Sequence, residues 1–168
     1  MFPTASTGAT QTLSAGLLVV GMAATVGIAL GFEHIGGYIP CMLCLEQRTP
    51  YYIGVPLMIL ALLASALKAP PLITRGLLLA GGALMLYGMA LGIYHAGVEW
   101  KWWAGPADCG AGSAGPNTGG NLLDQLNAVV PPSCSEAAGR FLGLSFAGWN
   151  ALASALWAYV AIRAAFKR

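Results

Sequence analysis

The chain has 168 residues, of which 57% are hydrophobic and 8% are charged, and its formal net charge is +2. A soluble globular domain carries about 25% charged residues, so this composition excludes an ordinary soluble protein and indicates a membrane protein. The eight lysines and arginines are scattered along the chain. They form no basic stripe of the kind that nucleic-acid binding requires, so we expect no nucleic-acid partner.

Four segments approach the roughly 20 apolar residues that cross a bilayer as a helix. They are Leu13 to Phe32, Thr49 to Leu67, Gly76 to Tyr94, and Phe141 to Ile162. The predicted fold is therefore an all-α membrane protein, a single domain over residues 1–168 in which four transmembrane helices form a bundle. None of the segments contains Asp, Glu, Lys, Arg or His, which makes ion-coupled transport a weak hypothesis.

Two glycine pairs with a spacing of four predict close packing between these helices. Gly27 and Gly31 lie in the first segment, and Gly88 and Gly92 lie in the third. Small residues at this spacing let two helix backbones approach each other, so both pairs favour a compact bundle.

The distribution of cations predicts the orientation in the membrane. With the N-terminus inside, the cytoplasmic side carries five cations and the outer side carries three. The inner five are Lys68, Arg75, Arg163, Lys167 and Arg168, and the outer three are Arg48, Lys101 and Arg140. The excess favours cytoplasmic positions for both termini.

This topology places all the cysteines in two extracytoplasmic loops. The first loop, residues 33–48, contains Cys41 and Cys44, and the second, residues 95–140, contains Cys109 and Cys134. An oxidising compartment such as a bacterial periplasm permits disulfides on that side.

The second loop is longer than usual connections, which indicates function or disorder. Its stretch from Ala104 to Gly120 is rich in Gly, Pro and small residues and predicts a mobile linker. Apolar residues then recur at helical spacing and predict a short amphipathic helix on the membrane surface. They are Leu122, Leu123, Leu126, Val129 and Val130. The alternative is a helix that caps the bundle without a catalytic role.

The pair Cys41 and Cys44 has the spacing of a redox couple. If the second span begins as a helix near Cys41, then Cys44 lies about 60° and Arg48 about 20° from it around the axis, so the three share a face. Unpaired amides at a helix N-terminus and a guanidinium both stabilise a thiolate. Pro50 disfavours the helical turn before it, so the alternative is a helix that starts nearer Leu45 or kinks.

Two other uses of the cysteines are less consistent with the spacing. A disulfide between Cys41 and Cys44 closes a loop too small to constrain the unfolded chain much. A four-cysteine zinc site usually repeats the short spacing, whereas Cys109 and Cys134 lie 25 positions apart. We therefore favour redox chemistry and predict no metal site.

Three stretches resemble the DsbB family, the quinone-dependent thiol oxidants of bacterial inner membranes. They are PCMLCLEQRTPYY (Pro40 to Tyr52), YHAGVEWKWWAGPADC (Tyr94 to Cys109) and LGLSFAGWNAL (Leu142 to Leu152). The resemblance covers essentially the whole chain. Its most specific element is C-x-L-C followed by an arginine at the fourth position after the second cysteine.

The resemblance implies an electron route through the cysteines. A reduced thioredoxin-like periplasmic partner of the DsbA type would attack Cys109, whose disulfide mate Cys134 would then exchange with Cys41. Cys44 would face the quinone as the thiolate that passes electrons onward, and Arg48 would hold and polarise the quinone ring. The implied cofactor is ubiquinone, with menaquinone as the alternative.

The resemblance also places His95 and Glu99 near the quinone headgroup, as cofactor-binding residues. The alternatives are a histidine that anchors the surface and a solvated glutamate. Gln47 is expected to support Arg48. Rival functions are an enzyme of the vitamin K epoxide reductase type, a non-catalytic four-span scaffold stapled by disulfides, and a zinc-binding membrane protein.

Overall fold

The structure is a computed structural model that describes residues 8–106 and 133–167. One short and four long helices account for most of these residues, followed in the last third of the chain by a small hairpin. The helices are α1 (Ala9–His34), α2 (Met42–Glu46), α3 (Thr49–Ala66), α4 (Pro71–Glu99) and α5 (Phe146–Phe166), and the strands are β1 (Arg140–Phe141) and β2 (Leu144–Ser145).

Three helical stretches are long and apolar enough to cross a membrane: Ala9–His34, Met42–Ala66 and Pro71–Glu99. They overlap the first three predicted spans, which confirms a mostly helical, multi-pass membrane protein. The 21 residues of α5 extend about 32 Å at 1.5 Å per residue, close to the thickness of a bilayer core. We propose α5 as the fourth span.

Helix α5, which corresponds to the fourth predicted span, begins at Phe146 and not at Phe141, because a tight turn precedes it. Phe141 pairs with Leu144 in an antiparallel hairpin, and the two turn residues, Leu142 and Gly143, have φ of 51° and 83°. Positive φ at both central residues is the geometry that joins two twisted strands by a two-residue turn. The side chain of Ser145 then accepts a hydrogen bond from the Gly148 amide and caps α5.

Each of the helices α3 and α4 is followed, two residues after its end, by a lysine with left-handed backbone. Lys68 has φ of 56° and Lys101 has φ of 60°. In each case the following amide reaches back to a carbonyl five residues earlier, at 2.8 Å from Ala69 to Ala64 and 2.9 Å from Trp102 to Gly97. This pattern satisfies carbonyls that the end of a helix leaves open.

The long helices pack as an up-and-down bundle. Helix α1 contacts α3 and α5, and α4 contacts the same two helices. A methyl group added to Gly92 would come within 2.9 Å of the Ala151 backbone, which confirms close packing at this glycine of the third segment. The prediction for Gly27 and Gly31 is wrong within the described chain, because nothing lies within 4 Å of either position.

Hydrogen bonds between helices satisfy polar side chains inside the bundle. Tyr51 of α3 and Ser154 of α5 are joined at 2.8 Å, and Thr12 of α1 and Ser65 of α3 at 2.6 Å. An apolar environment offers no other partner, so such pairs fix how the helices are rotated against each other. The alternating helix directions bring the end of α1, the start of α2, the end of α4 and the start of α5 to one end of the bundle.

Candidate redox site

The first cysteine pair is built into the start of α2. Cys41 precedes the helix with extended backbone, and its sulfur accepts a hydrogen bond from the Cys44 amide at 3.3 Å. Cys44 is the third residue of α2, the position whose free amide a capping side chain normally satisfies. The C-x-x-C spacing therefore brings the two sulfurs to 2.8 Å from each other, and both are free thiols.

The surroundings of Cys41 favour its ionised form. The hydrogen bond from the Cys44 thiol, with help from His95 and the Cys44 amide, lowers the pKa of Cys41 from 9.0 to about 4, although burial acts in the opposite direction. Hydrogen bonds to a charged group favour that charge, and here they outweigh desolvation. In the reduced pair these surroundings favour the thiolate at Cys41, and the expected role of Cys44 toward the quinone stays a prediction.

His95 lies against the Cys41 sulfur. The Nε2 atom of its ring is 3.6 Å from the Cys41 sulfur and 3.7 Å from Oε1 of Glu99. Both side chains are buried, with His95 only 2% and Glu99 only 8% exposed. The alternatives of a surface-anchoring histidine and a solvated glutamate are therefore wrong. The second carboxylate oxygen of Glu99 has no hydrogen-bond partner among the described residues.

Two amide side chains hold the far side of the His95 ring. Gln47 Nε2 lies 2.6 Å from His95 Nδ1, and Asn150 Nδ2 donates to Gln47 Oε1 at 2.7 Å. The expectation that Gln47 supports Arg48 is therefore wrong. Asn150 was missed by the sequence reasoning, although a lone amide within an apolar helix was a signal that it has a buried partner.

Arg48 forms an ion pair with Glu33 of α1, through its Nη1 and the Glu33 Oε2. The pair is partly exposed, at 12% for the Arg48 side chain and 25% for that of Glu33. Helix α2 ends at Glu46 and α3 starts at Thr49. The helix is therefore interrupted before Pro50, which agrees with the alternative of a kink, and the common face of Cys41, Cys44 and Arg48 stays a prediction.

Cys134 lies next to the first cysteine pair. Its side chain is 1% exposed and is disulfide-bonded. The sulfurs of Cys41 and Cys134 and a ring nitrogen of His95 lie within 4.8 Å of one another. A disulfide sulfur is not a thiolate ligand, so this cluster suits thiol–disulfide exchange better than the zinc alternative.

Several predictions concern residues outside the described part of the chain. Cys109, most of the predicted linker and the predicted amphipathic helix fall within 107–132, which the structure does not describe. They stay predictions.

Comparison with known proteins agrees with the cysteine arrangement. The family model described as disulfide bond formation protein DsbB matches residues 11–164. A curated relative, the disulfide bond formation protein B of Methylococcus capsulatus, is 32% identical over 133 residues, which cover 76% of this chain and 77% of the relative. No solved structure matches the chain significantly.

Proposed function

Since the chain belongs to the DsbB family of membrane disulfide bond formation proteins, we propose that it is a thiol:quinone oxidoreductase. It reoxidises a thioredoxin-like periplasmic partner of the DsbA type and passes two electrons to a membrane quinone. The protein lies in the bacterial inner membrane with both termini in the cytoplasm, so that its cysteines face the periplasm.

The observation that carries this proposal is the approach of Cys41 to Cys134 within 4.8 Å. One sulfur is a free thiol with a lowered pKa, and the other belongs to a disulfide. In exchange, a thiolate attacks one sulfur of a disulfide, forms a new S–S bond and releases the other sulfur as a thiolate. Two electrons can therefore pass between the two cysteine pairs by thiol–disulfide exchange, without a further carrier.

The proposed order of these exchanges runs from the partner, through the second cysteine pair, to the first. The partner's thiolate attacks Cys109, and the partner leaves as a disulfide after Cys109 and Cys134 take up its two electrons. The Cys134 thiolate next attacks Cys41 of a Cys41–Cys44 disulfide and releases Cys44 as a thiolate. Attack of Cys109 on Cys134 then restores the second disulfide and frees Cys41. The arrangement of free thiols at Cys41 and Cys44 with a disulfide at Cys134 is compatible with the state that this sequence leaves.

The first pair is then ready to reduce a quinone. When bound, the quinone takes up two electrons and two protons. Cys44 is half-buried while Cys41 is buried, so Cys44 is the sulfur that faces the carrier, and the partly exposed Arg48 guanidinium can hold a carbonyl oxygen beside it. The buried Glu99 oxygen, which has no hydrogen-bond partner within residues 8–106 and 133–167, is a further polar group on this side of the site.

His95 has a more specific place in the proposal than quinone binding alone. Both of its ring nitrogens already face protein atoms, Gln47 on one side and Cys41 with Glu99 on the other. We therefore assign His95 mainly to the Cys41 sulfur, and Arg48 and Cys44 to the quinone. Ubiquinone is the proposed carrier, with menaquinone as the alternative.

A turnover assay tests the proposal. The purified protein is mixed with a reduced thioredoxin-like dithiol protein and a short-chain quinone, and quinone absorbance is followed for the wild type, Cys44→Ser and Cys109→Ser. We expect turnover by the wild type and none by either variant. Ser154→Ala is the control, because it removes a buried hydrogen bond of α5 away from the sulfurs. Full turnover by either cysteine variant contradicts the route.

A further inference from the structure

The orientation of the Gln47 amide is fixed by a backbone carbonyl. One end of this amide lies 3.3 Å from the Leu43 carbonyl oxygen. A carbonyl only accepts hydrogen bonds, so this end of Gln47 must be the NH₂ group. The same nitrogen lies 2.6 Å from His95 Nδ1.

Asn150 supports the same orientation from a different helix. The opposite end of the Gln47 amide, the oxygen Oε1, accepts a hydrogen bond from Asn150 Nδ2 at 2.7 Å. If the Gln47 amide were turned over, its oxygen would face the Leu43 carbonyl and its NH₂ group would face the Asn150 NH₂ group. The contact with the Leu43 carbonyl would then be repulsive whichever way the Asn150 amide is turned, so this carbonyl decides the orientation of Gln47, and Asn150 completes its hydrogen bonds.

A donor fixed at Nδ1 determines which nitrogen of His95 carries the proton. Since Gln47 donates, Nδ1 must offer its lone pair, and in a neutral imidazole the proton then sits on Nε2. That proton lies between the Cys41 sulfur at 3.6 Å and Glu99 Oε1 at 3.7 Å. An imidazolium would instead place a second N–H against the Gln47 NH₂ group.

We infer that Gln47, held by Asn150, is a positioning residue that keeps the buried His95 ring neutral and protonated at Nε2, so that the ring donates to the Cys41 sulfur. The inference rests on the proposed function for the alternation of Cys41 between a disulfide and a thiolate. His95 is then a hydrogen-bond donor and not a base, because its nitrogen toward Cys41 already carries a proton. The proton that Cys41 gives up is not transferred to His95.

A neutral donor suits a sulfur that changes its charge during the reaction. Cys41 is a thiolate in one state and part of a disulfide in the next. A neutral ring can donate its Nε2 proton to the thiolate without a change in the charge of the ring when the disulfide forms.

Nitrogen NMR of the histidine rings tests the inference directly. The protein is labelled with ¹⁵N-histidine and held in detergent with Cys41 and Cys44 reduced, at about pH 7. The sequence has two histidines, His34 and His95, so His34→Gln assigns the spectrum. We expect an unprotonated Nδ1 and a protonated Nε2 for His95. A protonated Nδ1 in the wild type overturns the inference.

The substitution Gln47→Glu replaces the donor with an acceptor of nearly the same shape. We expect the Nδ1 resonance of His95 to change completely from an unprotonated to a protonated nitrogen. Gln11→Glu is the matched control: Gln11 is also buried, at 2% exposed, but bonds the Lys167 carbonyl, so the His95 spectrum should not change. An unprotonated Nδ1 in folded Gln47→Glu contradicts the inference, and if that variant does not fold, the wild-type spectrum decides alone.

The spectrum separates this inference from the proposed function, because it needs neither quinone nor partner. A protein that shows the expected tautomer but no turnover contradicts only the proposed function. A protein that turns over with a protonated Nδ1 contradicts only the role of Gln47.

Discussion

The sulfur of Cys41 lies within 4.8 Å of the sulfur of Cys134, although the two residues belong to different loops of the predicted topology. One is a free thiol and the other is disulfide-bonded, and both are buried. Burial slows the reaction of these sulfurs with small molecules from the solvent, so exchange between the two sulfurs is favoured over exchange with such molecules. The predictions below follow from this contact and from the groups around it.

Removal of both Cys44 and Cys109 should trap a disulfide between the two loops. The double variant Cys44→Ser/Cys109→Ser keeps two of the four cysteines, Cys41 and Cys134, so a mild oxidant such as diamide can join them and no third thiol can release Cys41 afterwards. We expect a Cys41–Cys134 disulfide, detected by mass spectrometry of peptides cleaved without reduction. Adding Cys41→Ser to the same variant is the control and should give no such peptide. Absence of the cross-link from the folded double variant would contradict the contact between Cys41 and Cys134.

Alkylation of Cys41 should persist far into acid. Because its pKa is lowered from 9.0 to about 4, the thiolate is fully present above the folded pKa and disappears only as the pH falls through it. We therefore expect the iodoacetamide rate of reduced protein to be nearly flat from about pH 6 to pH 8, with its midpoint near the lowered pKa.

The cause of that shift can be tested separately. The titratable groups described around the Cys41 sulfur are Cys44, His95, Glu99 and Glu136. The Cys44 thiol is the largest influence, so Cys44→Ala should raise the alkylation midpoint toward that of a cysteine peptide. A midpoint near pH 9 for alkylation of the wild type would contradict the lowered pKa of Cys41.

The two members of the Arg48–Glu33 pair should differ in their effect on quinone use. Loss of a charged hydrogen bond costs about 1.5–3 kcal/mol, so Arg48→Gln should raise the KM for a short-chain quinone about tenfold or more. Glu33→Gln leaves the guanidinium in place and should change KM less than about threefold. Because the pair is partly exposed, Glu33→Gln should also change the free energy of unfolding by less than about 1 kcal/mol. An unchanged KM in Arg48→Gln argues against its quinone role.

Two glycines on different helices should respond oppositely to the same substitution. A Cβ on Gly92 would meet the Ala151 backbone at 2.9 Å, so Gly92→Ala should destabilise the bundle by about 1–3 kcal/mol through overpacking. A Cβ on Gly27 would meet no atom of another described segment within 4 Å. Gly27→Ala should therefore be neutral, or stabilise the bundle by up to about 1 kcal/mol, because alanine favours the helix. Denaturant unfolding in detergent measures both, and equal effects would contradict the packing of α4 on α5.

Much of the architecture was predictable, because the signals for it are local in the sequence. Long apolar segments bounded by polar or turn residues locate α1, α3 and α4 to within a few residues. The start of α5 was missed because Leu142 and Gly143 form a turn inside an apolar run, where hydropathy does not reveal backbone conformation. The C-x-x-C spacing similarly identified the pair Cys41 and Cys44, since three positions suffice to bring one sulfur to the amide of the other.

The functional surroundings of that pair were less predictable. His95 lies in α4, Asn150 lies in α5 and Gln47 directly follows α2, and no spacing rule relates residues that far apart. The partner of Arg48 is Glu33, on a helix that precedes it, whereas single-helix geometry suggested only the two cysteines. The glycine pairs have the same pattern, yet within the described residues only the pair Gly88 and Gly92 is buried against neighbouring helices, because the pattern does not say which face of a helix has a partner.

The sequence by itself determined that this is a helical membrane protein with a redox-type cysteine pair and a second pair in a long loop, because composition, run length and spacing act within a segment. The tertiary structure decided that the surroundings favour the ionised form of Cys41, that Cys134 and His95 are its neighbours, and that Arg48 pairs with Glu33. These features depend on how the helices are rotated and how far they overlap, and that is set by packing and buried hydrogen bonds between distant segments. Ionisation of a buried thiol follows from such neighbours, so it could be assigned only after the helices were assembled.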